Sequence, residues 1–580
     1  MNTLKWAVLP EKQCDVHVDL LNPEKCQVQG AFYLNLSVGT ETGKLLVYIP
    51  QGWRNNDEVL VLAPPSDQKE EDFLTASGLL EFSEAKHIMV ALLVREAGKM
   101  PGQEAELFNA AYKKLQGREY FVAMQDCFYA MGVGDGSPAV IEAMVSMGSN
   151  WSGAAFFGGL AGISSKQEER KSQPQEAQTE EMFLSRKKAQ LPVWILDENE
   201  TPELESLRNY WIAENRDLEE PVYDKRGTAI YGPKPLSRIS SINDAPIAQV
   251  RVTLGFNFKQ LSAQWWDYVW SYVGAARRHR SYGNKILRYY RNPDCTENGA
   301  TYHSLVIDGM KREWYEYVPQ GMEKQTRPLP LVVVFHGRGG NGQSFFDITD
   351  MSVVAQERGF IALFPTADIY QIRPEGYRGV RIWNGEYNGT PIDSMPFVRA
   401  MVEDVKKRFP VDKSRIYACG QSSGGHMSVC CAFQAPDLFA AVAPWSGFTY
   451  PGMKRLSLPA GAPTTLDGVP LYLLVGKEDN LFGVSSIDLE NPSCDLEYFL
   501  LFVLKSYNLE LQHDSYVCYP IEYHVWRKNG VPMLTLGLVE DLPHANYPEE
   551  SRISYDDFMC RFSMDADGMR RFMGRRIERE

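Results

Sequence analysis

The sequence predicts an α/β protein built from two tandem domains, each a doubly wound and mostly parallel sheet. Its 580 residues are too many for one ordinary core, and 44 % hydrophobic with 23 % charged residues is the balance of a soluble globular chain. Short apolar runs alternate with helical patterns along the chain, as in sheets with helical crossovers. A set of landmarks also occurs twice in the same order.

The repeat begins with a pentapeptide. Tyr48-Ile49-Pro50-Gln51-Gly52 reappears as Tyr317-Val318-Pro319-Gln320-Gly321. In both places an apolar run follows, at residues 59–62 and 331–335. Such a run is typical of a strand that is buried on both faces of a parallel sheet. The two runs are therefore predicted to be equivalent strands.

Three further pairs of apolar segments match in the same order: residues 128–132 with 416–420, residues 191–196 with 469–474, and residues 252–255 with 534–537. Matches in a constant order predict a duplication. We place the boundary near residue 285, which gives a first copy of residues 1–285 and a second copy of residues 286–580.

Composition narrows the choice of partners. A formal charge of -14, from 74 acidic against 60 basic residues, disfavours nucleic acid, because Lys and Arg are needed to neutralise phosphates. A neutral or cationic substrate is easier to accommodate.

The opening MNTLKWAVLP lacks a secretory signal core, and no stretch reaches membrane-spanning length, so we expect a cytoplasmic protein without a membrane partner. The ten cysteines show no metal-ligand spacing and are predicted to be reduced.

Two local patterns allow structural predictions. Residues 164–190 are rich in Gln, Glu and Lys and predict an exposed, mobile insertion, with a partner site as the alternative. Apolar residues at helical spacing from Val398 to Phe409 predict a helix, with Asp393 and Ser394 as cap candidates and Pro396 in its first turn.

The strongest chemical signal is Gly420-Gln421-Ser422-Ser423-Gly424, which has the Gly-x-Ser-x-Gly form. Residues 415–419 predict a strand before it and residues 425–433 a helix after it, which is the strand-turn-helix setting of a nucleophile elbow. The turn is so sharp that a Cβ atom at Gly420 or Gly424 would meet neighbouring backbone. Ser422 is therefore the predicted nucleophile.

A serine hydroxyl needs a base, and the base needs an orienting acid. Asp479 follows an apolar strand at residues 471–475, so its carboxylate is expected at the end of the sheet where the elbow opens; Glu478 is the alternative acid. His544 lies just beyond the predicted strand at residues 533–538 and is the predicted base.

The oxyanion of a tetrahedral intermediate needs backbone donors. We predict the amide of Ser423 and one from the glycine-rich loop at residues 336–340, with Arg338 as the choice and Gly337 beside it. His336 is expected to pack below this loop, and His426 is expected to be a helix residue; neither is the predicted base.

The first copy lacks these features. Aligning the strands sets Gly134 opposite Ser422, and no histidine follows Gly255 before Trp265. Ala63-Pro64 stands near the place of His336-Gly337, and proline has no amide hydrogen to donate. The first copy is therefore predicted to be non-catalytic, either shaping the mouth of the active site or supporting oligomerisation.

From about Tyr302 to Phe562 the second copy resembles the polyhydroxybutyrate depolymerase-type esterases, a group close to the feruloyl and acetylxylan esterases of carbohydrate esterase family one. The marks of this resemblance are residues 332–337, Arg381-Ile382-Trp383-Asn384-Gly385, the elbow at Ser422, Gly476-Lys477-Glu478-Asp479 and Pro543-His544-Ala545. The resemblance implies α/β-hydrolase-like domains, a triad of Ser422, Asp479 and His544, an acyl-enzyme with water as acceptor, and no cofactor.

Members of this family that act outside the cell carry signal peptides and often polymer-binding modules, and neither is evident here, so a soluble ester or short oligomer is the expected substrate. Trp383, Asn384 and Trp445 are candidate substrate-binding residues, and Tyr450 is a further aromatic candidate, with ordinary packing as the alternative for the aromatic side chains.

The sequence thus predicts a serine carboxylic ester hydrolase with a small-molecule or oligomeric ester as partner and with a homo-oligomer as a further possibility. Two alternatives remain open at this point. A serine peptidase uses the same triad on the same fold. A non-catalytic scaffold or binding protein would use both copies only as structure.

Overall fold

The computed structural model describes the chain except residues 1–3, 13–18, 23–24, 56, 97, 117–118, 122, 124–126, 161–189, 234–247, 279–286, 290–294, 323–325, 372–378, 388–389, 455–457, 459–467, 548 and 578–580. Two compact units are present. The first is Met1–Arg280, Asn284–Arg291 and Arg373–Gly379, and the second is Ser281–Gly283, Asn292–Ile372 and Val380–Glu580. The predicted insertion, except its last residue, and the predicted boundary near residue 285 lie outside the described residues.

The first unit contains one ten-stranded sheet. Its strands are β1 (Gly30–Val38), β2 (Glu41–Ile49), β3 (Val59–Ala63), β4 (Met89–Leu93), β5 (Phe128–Val133), β6 (Gly153–Phe157), β7 (Val193–Asp197), β8 (Val222–Tyr223), β9 (Ala229–Tyr231) and β10 (Val250–Leu254). Its α-helices are α1 (Glu70–Ala76), α2 (Leu79–Lys86), α3 (Pro101–Leu115), α4 (Ser137–Met147), α5 (Pro202–Asn215) and α6 (Ala263–Val273). Single turns of 3-10 helix occupy Gly134–Gly136, Gly148–Asn150 and Phe258–Gln260, and β11 (Ala276–Arg278) pairs with β12 (Leu287–Tyr289).

The second unit also contains one ten-stranded sheet. Its strands are β13 (Ala300–Ile307), β14 (Met310–Tyr317), β15 (Leu329–Phe335), β16 (Ile361–Thr366), β21 (Val411–Gln421), β22 (Ala441–Trp445), β23 (Leu471–Glu478), β24 (Asp514–Cys518), β25 (Ile521–Lys528) and β26 (Val531–Pro543). Short strands β17 (Ile369–Gln371), β18 (Gly379–Arg381), β19 (Glu386–Tyr387) and β20 (Thr390–Pro391) follow β16 in the chain, and β27 (Phe562–Met564), β28 (Arg570–Phe572) and β29 (Arg575–Arg576) form a small sheet near the C-terminus.

The α-helices of this unit are α7 (Gly342–Ile348), α8 (Met351–Arg358), α9 (Met395–Arg408), α10 (Ser423–Gln434), α11 (Asp495–Tyr507) and α12 (Glu550–Ile553). Other helical turns lie at Cys295–Asn298, Ser554–Phe558 and Met559–Arg561. The predicted helix is confirmed as α9. The Asp393 carboxylate accepts from the amide of Met395 at 2.9 Å, whereas Ser394 makes no side-chain cap bond to the helix. No helix among the described residues is long and apolar enough to cross a bilayer.

The two sheets have the same topology. The strand order is β1-β2-β4-β3-β5-β6-β7-β10-β9-β8 in the first and β13-β14-β16-β15-β21-β22-β23-β26-β25-β24 in the second. In each sheet six central strands are parallel and two antiparallel strands extend it on either side. The predicted α/β duplication is therefore confirmed strand by strand.

Strand register refines the alignment of the copies. Tyr129 pairs with Gly153 and Tyr417 with Ala441, which agrees with the predicted match of residues 128–132 to 416–420. Val193 pairs with Val250, whereas its equivalent Leu471 pairs with Leu534.

The predicted match of residues 252–255 to 534–537 is therefore wrong by two residues, because Val250 rather than Val252 is equivalent to Leu534. A two-residue shift keeps every side chain on the same face of a strand, so the hydrophobic pattern could not reveal it.

A second correction concerns the loop after β3. Ala63 pairs with Gly132, and Phe335 pairs with Gly420, so Ala63 is the counterpart of Phe335. Pro64 and Pro65 then stand in the places of His336 and Gly337. The prediction put Ala63-Pro64 near those positions, one residue too early, and the register leaves two prolines there.

Candidate active site

Ser422 occupies a sharp turn between β21 and α10. Its backbone has φ 55° and ψ -115°, a strained conformation for a residue with a side chain. A Cβ atom at Gly420 would lie 2.4 Å from the carbonyl oxygen of Phe335, and one at Gly424 would lie 2.0 Å from the same oxygen. Only glycine at these two positions lets the turn pack so closely on β15.

The three residues of the predicted triad come together around this turn. The hydroxyl of Ser422 lies 2.9 Å from Nε2 of His544, and Nδ1 of His544 lies 2.8 Å from Oδ2 of Asp479. Both Asp479 and His544 are buried. The residues come from three separate segments, 122 and 65 positions apart in sequence.

The surroundings of Asp479 decide which histidine nitrogen carries the proton. Its Oδ1 accepts from the amides of Leu481 at 2.8 Å and Phe482 at 3.1 Å, which fixes the carboxylate and leaves Oδ2 for His544. An ionised carboxylate only accepts, so Nδ1 of His544 donates to it and Nε2 is left to accept from Ser422. The alternative acid, Glu478, is exposed at the end of β23.

Two of the predicted oxyanion residues, Ser423 and Gly337, lie beside the nucleophile. Ser423 is the first residue of α10, where an amide has no intrahelical acceptor. A Cβ atom at Gly337 would lie 3.6 Å from Cβ of Ser422, so this loop touches the elbow. The amide of Gly339 donates to the carbonyl of Arg381 at 2.7 Å and that of Gly340 to Gly337 at 3.0 Å. Within the described residues the amides of Gly337, Arg338 and Ser423 have no acceptor.

His336 supports the loop from below. Its ring is fully buried, and its Nε2 accepts from the amide of Ala367 at 2.9 Å. Nδ1 therefore carries the proton and donates to the carbonyl of Gly337 at 2.6 Å. His336 thus packs as expected, and His426 likewise lies in α10, with Nδ1 2.9 Å from the carbonyl oxygen of Ser422.

Trp383 and Trp445, which were predicted as substrate-binding residues, are both buried. Each is only 1 % exposed, which leaves almost no ring surface for a ligand. The indole of Trp383 donates to the carbonyl of His336 at 2.9 Å, and its amide donates to the hydroxyl of Ser423 at 3.2 Å. The indole of Trp445 donates to the hydroxyl of Ser554 at 2.9 Å.

Asn384 is also engaged in structure. Its backbone has φ 51°, its Oδ1 accepts from the amide of Ser394 at 2.9 Å, and its Nδ2 donates to Cys430 at 3.4 Å. Its side chain therefore anchors the start of α9. Tyr450, the further aromatic candidate, is half-buried and donates its hydroxyl to Asp495 at 2.7 Å.

The first copy retains the elbow without its chemistry. Gly134, the counterpart of Ser422, has φ 56°, almost the same left-handed backbone. A Cβ atom at Gly134 would lie 3.1 Å from the ring of Phe258, which comes from the segment after β10, as His544 comes from the segment after β26. An apolar ring therefore covers the position of the missing nucleophile.

In this copy a carboxylate binds the loop amide that corresponds to that of Arg338. By register, Asp135 is the counterpart of Ser423 and Ser66 that of Arg338. Oδ1 of Asp135 accepts from the amide of Ser66 at 3.0 Å, and Oδ2 lies 3.0 Å from Nη1 of Arg95. Burial raises the pKa of Asp135, but the hydrogen bonds from Ser66 and the charge of Arg95 outweigh it and hold that pKa below its usual range.

Sequence reasoning missed both replacements. The only available signal for Asp135 was its position directly after the aligned Gly134, because an ionised carboxylate side chain there places an acceptor and a negative charge next to the elbow. Phe258 gave no signal at all, since the loop after β10 does not align residue by residue with the loop after β26.

Residues 313–456 match the family model described as Esterase PHB depolymerase. Over 140 residues the chain is 33 % identical to feruloyl esterase B of Thermothelomyces thermophilus. The aligned stretch covers 24 % of this chain and 45 % of that protein. Over 145 residues it is 28 % identical to poly(3-hydroxyalkanoate) depolymerase C of Paucimonas lemoignei. This aligned stretch covers 24 % of this chain and 32 % of that protein. Among solved structures, acetyl xylan esterase from Aspergillus awamori aligns with a TM-score of 0.32 and 15 % identity, over 45 % of this chain and 99 % of that one.

The chain spans about half the length, or less, of these curated relatives. The family match includes the loop at Arg338 and the elbow at Ser422, and it ends before Asp479 and His544. This part of the second copy is therefore related to ester-cleaving enzymes, and the residues beyond it are connected to the site by their geometry.

Proposed function

We propose that the second copy is a serine carboxylic ester hydrolase that works through an acyl-enzyme, with Ser422 as nucleophile, His544 as base and Asp479 as orienting acid. The observation that carries this proposal is the pair of distances on His544, 2.9 Å to the Ser422 hydroxyl and 2.8 Å to the Asp479 carboxylate. Such a relay on a strained elbow is the arrangement that activates a serine hydroxyl.

In the first half of the reaction, Oγ of Ser422 attacks the ester carbonyl while its proton passes to Nε2 of His544. The imidazolium formed is stabilised by Asp479 and gives the proton to the departing alcohol as the carbon–oxygen bond breaks. Water then attacks the acyl-serine, passes a proton to His544, and releases the acid with Ser422 restored. No redox partner or cofactor enters this balance.

The negative charge that develops on the carbonyl oxygen needs donors already in place. The amides of Ser423 and Arg338, with Gly337 adjacent, are the proposed donors. The first copy supports this choice, because there the amide of Ser66, the counterpart of Arg338, donates to a carboxylate oxygen. The same loop position thus presents its amide to an anion beside the elbow.

For the substrate we propose a soluble ester or short oligoester. The relatives named above include a feruloyl esterase, an acetyl xylan esterase and a poly(3-hydroxyalkanoate) depolymerase, which act on different acyl groups. All three names point to cleavage of an ester bond, but they differ in the groups on either side of it. We therefore propose the type of bond that is cleaved and leave the acyl and alcohol groups open.

The test compares wild type, Ser422→Ala and a control, Ser506→Ala, whose hydroxyl donates to Phe502 within α11. Matched p-nitrophenyl esters and p-nitroanilides are assayed alongside labelling by a fluorophosphonate probe. We expect wild type and Ser506→Ala to hydrolyse the esters and take up one label per chain. Ser422→Ala should lose labelling and at least a thousandfold in kcat.

Each other outcome contradicts part of the proposal. Preferred turnover of the anilides would indicate a peptidase. Undiminished labelling of Ser422→Ala would move the nucleophile elsewhere. Absence of both turnover and labelling in wild type would favour a non-catalytic protein.

A further inference from the structure

The loop that carries His544 is closed by a buried carboxylate. Glu550, at the start of α12, is 2 % exposed, and its Oε2 accepts from the amide of Tyr547 at 2.9 Å. Its Oε1 accepts from the side-chain amide of Asn546. The amide of Glu550 donates back to the carbonyl of Tyr547 at 3.0 Å. One side chain thus ties together the residues two and three positions after His544.

The same segment is fastened to the strand beside the nucleophile. The hydroxyl of Ser551 donates to the carbonyl of Thr349 at 2.6 Å. The hydroxyl of Ser554 accepts from the indole of Trp445 at 2.9 Å, and the carbonyl of Trp445 accepts from the amide of Ser422 at 2.8 Å. The segment that contains Glu550 therefore follows the base His544 in the chain and is hydrogen-bonded, through Ser554 and Trp445, to the nucleophile Ser422.

We propose that Glu550 is a positioning residue that holds His544 within reach of both Ser422 and Asp479. This inference rests on the proposed function. His544 follows directly after the end of β26, and its ring must meet two partners at 2.8 and 2.9 Å at once. Small displacements of a catalytic group lower the rate strongly, so the loop needs a rigid support.

The chemistry of a carboxylate explains why glutamate occupies this position. Two N–H groups of the loop converge on one side chain, and an ionised carboxylate offers an acceptor oxygen to each. A glutamine of the same shape would offer one acceptor and turn an NH2 group toward the other donor. Glu550→Gln therefore breaks one of the two bonds with almost no change in volume.

The experiment compares wild type, Glu550→Gln and the control Asp556→Asn. Asp556 is a carboxylate six residues further on that pairs with Arg358 at 2.8 Å. We measure kcat and KM on a p-nitrophenyl ester, the rate of fluorophosphonate labelling, and the thermal midpoint. For Glu550→Gln we expect a 10- to 100-fold loss in kcat with KM within twofold, and an equal loss in labelling rate. Asp556→Asn should match wild type in both rates.

A second variant guards against simple unfolding. Asn546→Ala removes one of the two donors and leaves Glu550 in place, so it should give a smaller loss in kcat of about 3- to 10-fold, again without a change in KM. Wild-type kcat and labelling in both variants would overturn the positioning role. An inactive and unlabelled wild type would instead overturn the proposed function itself, so the two failures are distinguishable.

Discussion

The indole Nε1 of Trp383 donates to the carbonyl of His336 at 2.9 Å, while the amide of the same residue donates to the hydroxyl of Ser423 at 3.2 Å. One buried residue is thus bonded, through its indole and its backbone amide, to both sides of the proposed oxyanion hole. The ring lies against those of Phe335 and His336. Trp383 therefore supports the residues of the proposed oxyanion hole.

Replacing Trp383 by Phe should slow the reaction without weakening substrate binding. The phenyl ring keeps most of the packing, but the carbonyl of His336 loses its donor and the adjoining loop can shift. We expect about a tenfold loss in kcat, an unchanged KM, and a parallel loss of affinity for a boronic acid that mimics the tetrahedral intermediate.

The control for this change is Trp526→Phe. Its indole is also buried and donates to a backbone carbonyl, that of Leu511 at 3.2 Å, but on β25. Kinetic constants of this variant should match wild type. Equal losses of kcat in both variants would show that the effect is only one of general packing.

Gly424→Ala should destroy the elbow. The new Cβ atom would lie 2.0 Å from the carbonyl oxygen of Phe335, and the backbone on both sides is fixed by α10 and β15. We expect loss of fluorophosphonate labelling and a decrease of at least about 2 kcal/mol in the free energy of unfolding, measured by urea titration. Gly232→Ala is the control, because no atom of the described residues, its two chain neighbours apart, lies within 4 Å of its Cβ position; a wild-type level of labelling in Gly424→Ala would contradict the prediction.

A pH effect should arise from the buried pair of Arg312 and Asp368, whose Nη1 and Oδ2 atoms lie 2.8 Å apart. Burial outweighs the attraction of Arg312 and raises the pKa of Asp368 to about 6. The folded state then binds the proton more tightly than the unfolded state, so the contribution of this group is full below pH 4 and is lost as pH rises to about 6.

The measurement is the free energy of unfolding of wild type and of Asp368→Asn between pH 4 and pH 7. The difference between the two proteins isolates this carboxyl from all the others. Relative to the variant, wild type should lose up to about 3 kcal/mol across this range. A difference that stays constant with pH would show that Asp368 titrates at its ordinary value.

The elements that sequence could predict are those with a local signature. The elbow at Ser422 is indicated by two glycines and by a predicted boundary between a strand and a helix. His544 is the only histidine in the sequence after the last predicted strand. What could not be predicted depends on three-dimensional register. The two-residue error between Val250 and Val252 is invisible to a pattern of period two.

Trp383 and Trp445 illustrate a second limit. A tryptophan next to a catalytic motif has the same sequence signal whether its ring faces a ligand or the core. The hydrogen bonds of the two indoles to His336 and Ser554, which follow no sequence pattern, favour the packing interpretation. Glu550 was missed for a related reason, since a carboxylate that binds backbone and side-chain amides follows no spacing rule.

Restoring a serine to the first copy should not restore a site there. In the double variant Ser422→Ala, Gly134→Ser the new side chain would meet the ring of Phe258, 3.1 Å from the Cβ position, and no histidine stands in the equivalent loop. The amide of Ser66 is already bonded to the carboxylate of Asp135. A serine without a base or a free oxyanion donor is not an activated nucleophile.

The measurement is intact-mass analysis after exposure to a fluorophosphonate. We expect no adduct on the double variant and a single adduct on Gly134→Ser alone, carried by Ser422. An adduct on the double variant would show that the first copy keeps a base that activates residue 134. In that case the ring of Phe258 and the carboxylate of Asp135 would be able to move away from residue 134. The first copy would then lack only the serine for hydrolysis.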